Sequence, residues 1–336
     1  MNTWSPVSPA GACIDGRGVA NVDGMWGAPL SAAYRQLALP GLPACATPGS
    51  GADWFRQRIR DVRTHPGFAM AAAHYAQSTV QLYEGRYLVN KALANIARQT
   101  VCVAILSSFF GQSEKEGTFL SSIQGLTAAL GVCSKNTTAA IVALLERLGL
   151  VMRVENPRDR RWLFIQPTHH LVSAMTDSYR IALAANDSLF PFHSYGPLFD
   201  SDQLVRERCF AVGLYFYIAI HSSVFNAPRS RVFTDSEGGT TLLLKLMSLR
   251  AADRKAGDQI IDFPYDEIGT LFGLSRTHIR RLMRRAEAAG FVRLLQKGGR
   301  QVRILPTLED LFENLVAANV ARAQFDMALA GGKLLI

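Results

Sequence analysis

Ile268-Gly269-Thr270-Leu271-Phe272-Gly273-Leu274-Ser275, a helical run to Ala289 and then Gly290-Phe291-Val292 form the stretch from which the architecture is read. A short apolar-periodic helix ends at Gly273, because glycine enters the left-handed conformation that stops a helix at no steric cost. Ser275 is a good N-cap for the next helix, since its hydroxyl accepts from a free backbone N–H. Gly290 stops that second helix. The β-prone Phe291-Val292-Arg293, the polar turn Lys297-Gly298-Gly299 and Gln301-Val302-Arg303-Ile304 then read as a hairpin.

The same pattern occurs earlier in the chain. Leu126-Thr127-Ala128-Ala129-Leu130-Gly131-Val132-Cys133-Ser134 leads into a helix closed by Gly149-Leu150-Val151, and Glu155-Asn156-Pro157 turns the chain into Trp162-Leu163-Phe164-Ile165. In both copies the capping serine and the terminating glycine are 15 residues apart, Ser134 to Gly149 and Ser275 to Gly290. Both copies end on Pro-Thr, Pro167-Thr168 and Pro306-Thr307. Helix, turn, helix and hairpin make a winged helix, and an internal repeat of this form predicts two of them. The expected fold is mainly α with small β-hairpin wings: tandem winged helix-turn-helix units on a helical scaffold. Ser121 and Gln124 have capping-box spacing for the start of the first unit.

Charge follows the repeat. Of the formal +9 of this 336-residue chain, residues 265–305 carry nine basic side chains against Asp266, Glu267 and Glu287, a net of +6. Residues 134–166 carry six against Glu146, Glu155 and Asp159, a net of +3, so the remainder is neutral. Such clustering points to a polyanion as partner. With 49% apolar and 19% charged residues the chain reads as globular.

Three segments are expected: a loosely ordered Gly/Pro/Ala-rich arm at 1–50; helices plus the first unit at 51–185, with its core at 115–170; and helices plus the second unit at 186–336, with its core at 258–307 and a terminal helix. His65-Pro66-Gly67 breaks the first helix, while Tyr87 to Phe110 reads as one periodic stretch. Asn186, Pro191, Pro197 and Asn226-Ala227-Pro228 read as breaks further on. In the terminal helix, Leu311, Phe312, Leu315, Val316 and Val320 form a stripe able to cover either this chain or a second copy.

At 100° per residue, Ile279, Leu282, Met283, Ala286 and Ala289 form the core face of the second unit's recognition helix. Thr277, Arg280, Arg281 and Arg284 lie opposite, where guanidinium groups suit guanine edges and phosphates. Ser275, Arg276, Lys297 and Arg300 complete this set. The first unit offers Ser134, Lys135, Asn136 and Thr137, then Ala139, Ala140 and Ala143 on the same face, with the wing arginines Arg158, Arg160 and Arg161. Its helix face is far less basic; it allows methyl contacts and an Asn136–adenine pair, or else packs on protein.

Ser134-Lys135-Asn136-Thr137, Leu145-Glu146-Arg147-Leu148-Gly149-Leu150-Val151 and Asn156-Pro157-Arg158-Asp159-Arg160-Arg161 resemble the multiple-antibiotic-resistance regulator (MarR) family. That family's wing commonly opens with aspartate, where Asn156 stands, and it usually has arginine where Ala140 stands; the second copy has Arg281 there. The family normally supplies one unit per chain and works as a dimer, so the resemblance implies a fused pseudo-dimer that binds double-stranded DNA and regulates transcription.

Other signals have plainer readings. His169-His170 lacks an acidic or cysteine partner, so no metal is expected. Cys133, before a helix N-terminus, reads as a small buried hydrophobe or a redox sensor. Phe210, Tyr215, Phe216 and Tyr217 read as core, or as the lining of an effector pocket. The scattered cysteines Cys13, Cys45, Cys102, Cys133 and Cys209 fit a reducing, cytoplasmic setting, and the expected DNA partner implies a nucleoid-associated one. No signal peptide or spanning segment is read, the apolar run Cys209 to Ile220 being too short. No nucleophile, P-loop or HExxH motif is found, so neither enzyme activity nor a cofactor is expected. The alternatives are a plasmid-type replication initiator with tandem winged helices and a winged-helix scaffold that binds protein.

Overall fold

A computed structural model describes residues 50–112, 114–214, 216–217, 229–252, 260–296 and 300–330. The arm at 1–49, the Asn226-Ala227-Pro228 break, Tyr215 and the Lys297-Gly298-Gly299 turn lie outside them. The chain is mainly helical, with two small antiparallel sheets. Its elements are α1 (Ser50–Arg63), α2 (Phe68–Tyr83), α3 (Tyr87–Ala92), α4 (Ile96–Gly111), α5 (Leu120–Ala129), α6 (Lys135–Arg147), β1 (Val151–Glu155), β2 (Leu163–Pro167) and α7 (His169–Leu189). After a 3₁₀ turn at Pro191–His193 come α8 (Tyr195–Ser201), α9 (Gln203–Val212), α10 (Arg231–Thr234), α11 (Gly239–Ala252), β3 (Ile260–Asp262), α12 (Tyr265–Phe272), α13 (Arg276–Ala288), β4 (Val292–Leu294), β5 (Gln301–Ile304) and α14 (Pro306–Ala330). Among the described residues, no helix is long and apolar enough to cross a membrane.

The order α5-α6-β1-β2-α7 recurs as α12-α13-β4-β5-α14. The likeness reaches individual hydrogen bonds. Ser134 Oγ accepts from the Thr137 N–H and Ser275 Oγ from the His278 N–H, both at 3.2 Å. Gly131, Gly149, Gly273 and Gly290 all have φ between +66° and +76°. The Thr168 hydroxyl donates to the Gly149 carbonyl, and the Thr307 hydroxyl donates to that of Gly290. Each copy also has an upstream segment on the second hairpin strand. Thr118 bridges Ile165, and β3 pairs with β5 through Ile261 and Val302.

Several expectations are corrected. Tyr87 to Phe110 is two helices, parted at Leu93–Asn95, where the Asn95 side chain caps α4 by accepting from the Arg98 N–H. The Ser121–Gln124 capping box does not form. Phe119 occupies the N-cap, and Gln124 Nε2 donates instead to the Lys135 carbonyl across the inter-helix turn. Asn186 is no break: it is buried in the last turn of α7, where its Oδ1 accepts from Gln324 Nε2 at 2.8 Å. Pro197 sits in the first turn of α8, where a proline's missing N–H costs no helical bond. The position 185–186 falls inside α7, which runs unbroken to Leu189.

One continuous hydrophobic core joins the helices. α14 lies at its centre and packs on α1, α7 and α9, while α2 packs on α7 and α11. Phe312, Leu315, Val316 and Val320 of its stripe are buried and Leu311 is half-buried, so this chain itself covers the stripe offered above to a second copy. Phe210, Phe216 and Tyr217 are also buried core residues.

Candidate nucleic-acid interface

The α12–α13 turn is tight because of two glycines. Gly273 takes the left-handed conformation, and Gly269 lies so close to the next segment that a Cβ there would stand 2.4 Å from the Leu274 carbonyl oxygen. Leu274 N–H donates to the Gly269 carbonyl at 2.9 Å, which closes the turn. α13 then starts on its serine cap. Ile279, Leu282, Met283 and Ala286 are buried against the sheet and neighbouring helices. Thr277, Arg280, Arg281 and Arg284 are all exposed on the opposite side, as the helical period requires.

Two side chains of α13 fasten it to the segment before α11. His278 Nε2 donates to the Glu237 carbonyl at 2.7 Å, and Arg285 Nη1 donates to Ser236 Oγ at 3.0 Å. These partners lie 41 and 49 residues away in sequence, and no local pattern announces them.

The arginines divide into two groups. Arg276 pairs with Asp266 at 3.2 Å, and Arg300 makes a two-pronged pair with Asp262 at 2.9 and 3.1 Å. Arg280, Arg281 and Arg284 have no carboxylate within ion-pair distance among the described residues. Three exposed guanidinium groups on one helix face repel one another and keep their full charge available to an incoming anion. Lys297 lies outside the described residues.

The first unit is built differently at its surface. Its turn is one residue longer, from Gly131 to Ser134 rather than from Gly273 to Ser275. A side chain therefore fits four residues before the glycine. Thr127 stands there, buried, with its Oγ1 2.6 Å from Thr138 Oγ1 of α6. Cys133 Sγ lies 3.3 Å from the same Thr138 hydroxyl and is half-buried. Lys135, Asn136, Thr137 and Ala140 are exposed, and Ala139 and Ala143 are half-buried.

Each wing arginine of this unit faces an acid: Arg158 with Glu116 at 3.6 Å, Arg160 with Glu155 at 3.7 Å and Arg161 with Asp159 at 2.7 Å. The side chains remain 79–86% exposed, so these pairs are weak in water and exchangeable for a phosphate. Arg161 donates to both oxygens of Asp159 and holds its carboxyl below the ordinary range. Asn156 Oδ1 accepts from the Arg158 N–H, which shapes the tip. Trp162, 58% exposed at the wing's base and edge-on to Phe119, was not singled out from sequence as a contact residue.

The candidate residues thus gather in two sets, each on its own helix and hairpin: a nearly neutral helix with an acid-paired wing, and an arginine-faced helix. His169 and His170 are exposed on the first turn of α7, and no three His, Cys, Asp or Glu side chains cluster among the described residues. Compared with protein-family models, curated proteins and solved structures, the chain matches none of them.

Proposed function

We propose that this chain is a sequence-specific regulator of transcription that binds double-stranded DNA through two winged helix-turn-helix units. The observation that carries the reading is the exposed row Arg280, Arg281 and Arg284, free of carboxylates among the described residues and directly opposite the buried stripe of α13. A helix so fixed by its own core face, and so charged on the other, is suited to the major groove, where arginine pairs with guanine O6 and N7 or with phosphate. The repeated build, down to the serine caps and the threonine–glycine bonds, supports a second unit of the same kind with different base preferences. Asn136 and the alanines of α6 suit methyl and adenine contacts, and the wing arginines suit backbone phosphates. The likeness of the first unit's motifs to the MarR family supports the same reading.

The test is selection of bound sites from a pool of randomised duplexes with the full chain. The wild-type protein is expected to enrich an asymmetric sequence that an Arg281→Ala/Arg284→Ala variant of normal fold does not enrich. Absence of any enrichment by the wild type overturns the proposal.

A further inference from the structure

β4 and β5 carry an unusual pair. Arg293 and Arg303 are directly opposite in the antiparallel register, Arg293 exposed and Arg303 half-buried, both on the face turned away from the buried Val292, Val302 and Ile304. Like charges in that position destabilise a sheet. Among the described residues neither arginine has a carboxylate within ion-pair distance, although Arg300, three residues before Arg303, is held by Asp262. Glu287, in the last turn of α13, is engaged at its Oε1, which accepts from the Leu294 N–H at 2.8 Å.

The repeat shows that the fold does not need arginine there. Met152 stands three residues after Gly149, as Arg293 does after Gly290, and its cross-strand partner is Gln166. Met152 is exposed and Gln166 half-buried, the same arrangement as Arg293 and Arg303. One hairpin therefore carries a neutral pair, and the other carries two adjacent positive charges at matching positions, with no carboxylate partner among the described residues.

We infer that Arg293 and Arg303 form a phosphate clamp on the outer face of the second sheet, and that it grips the sugar–phosphate backbone of a nucleic-acid duplex independently of sequence. The inference rests on the DNA-binding reading above. α13 runs through Gly290 straight into β4 and packs on it, so helix and clamp belong to one module. Two guanidinium groups side by side match the spread of charge on a phosphodiester, and each such contact releases condensed counterions when the duplex binds.

The experiment substitutes the first unit's residues into the second, Arg293→Met and Arg303→Gln, singly and together in the full chain. Affinity for a random-sequence duplex is measured from low to moderate salt, and the thermal midpoint is measured alongside. The clamp predicts a slope of log affinity against log salt shallower by about one per arginine removed. It also predicts an unchanged or raised thermal midpoint, and loss of affinity that is equal across sequences. An unchanged slope in the double variant, with the wild type binding normally, overturns the clamp and leaves the DNA reading intact. A lowered midpoint makes the arginines structural and overturns it as well. If inorganic phosphate raises the wild-type midpoint while the duplex slope is indifferent to the variants, the site takes a free anion and the backbone assignment fails. A wild-type chain that binds no duplex at any salt concentration removes both proposals together.

Discussion

Replacing Gly269 by alanine sets two opposing effects against each other. In the interior of a helix alanine is favoured over glycine by about 1 kcal/mol, because glycine loses more backbone freedom on folding. Here the new Cβ would stand 2.4 Å from the Leu274 carbonyl oxygen, whereas ordinary contact begins near 3.4 Å. Something must therefore move by about 1 Å, and what it meets is backbone inside a closed turn, not the end of a flexible side chain. Overpacking of this sort costs about 1–3 kcal/mol, and a carbonyl fixed between two helices belongs at the upper end. The net expectation is a loss of about 2 kcal/mol, roughly a thirtyfold shift in the folded-to-unfolded ratio. Urea unfolding of the full chain reads it as a lower midpoint at unchanged slope. Since α13 begins two residues after Leu274, the same displacement should weaken selective duplex binding. A variant as stable as the wild type, or more stable, would show that the turn opens without cost and that the argument from Leu274 is wrong.

Removing both Arg281 and Arg284 is expected to lower affinity for the preferred duplex at least about thirtyfold, at about 1–3 kcal/mol for each base contact, with the fold unchanged; competition binding against random duplex measures it, and equal binding would refute base reading by α13. The triple variant Arg158→Ala/Arg160→Ala/Arg161→Ala should flatten the salt dependence by fewer than three units, because each arginine must first leave Glu116, Glu155 or Asp159; a full loss of three would mean those pairs do not form in solution. Burial pushes the Asp326 carboxyl up to about 7, against the opposing pull of Arg322 at 3.8 Å and the hydroxyl of Tyr179. The native state then binds more protons than the unfolded chain between about pH 4 and 7, so this group makes stability fall as pH rises through that window. Asp326→Asn, always neutral and still able to accept from Tyr179, should gain on the wild type as pH rises from 4 to 8 in unfolding measurements; parallel profiles would show that the carboxyl titrates normally.

The punctuation of the two repeats was legible because it is local. Ser134 and Ser275 cap, Gly131, Gly149, Gly273 and Gly290 terminate, and each acts on residues within a turn of itself. Arginines opposite an apolar stripe were legible for the same reason, since helical period alone places them. What escaped was long-range or very short. The Thr118 bridge and the three residues of β3 are too brief to show alternation. Glu116 and Asp262 lie 42 and 38 residues from the arginines they meet, Arg158 and Arg300, so the contrast between paired and unpaired guanidinium groups depends on tertiary structure. Asn186 was misread because a buried partner, Gln324, satisfies a side chain that otherwise disrupts a helix. Gly269 is the intermediate case. The one-residue difference between the two turns is visible in the sequence, but the carbonyl that forbids a side chain there is not.

The helices that leave the two hairpins, α7 and α14, pack on each other. Separation and rotation between the arginine-faced helix and its neutral counterpart are therefore set by a helix–helix contact inside the core, as in a caliper with a tightened screw. On a duplex, each added base pair advances the second half-site by about 3.4 Å and turns it by about 34°. A flexible tether would absorb such a change at little cost, since loop entropy varies slowly with span. A caliper cannot. On the proposed DNA-binding reading, spacing between the two half-sites should thus be as strict a determinant of recognition as their base sequence, with one inserted pair as damaging as a wrong base.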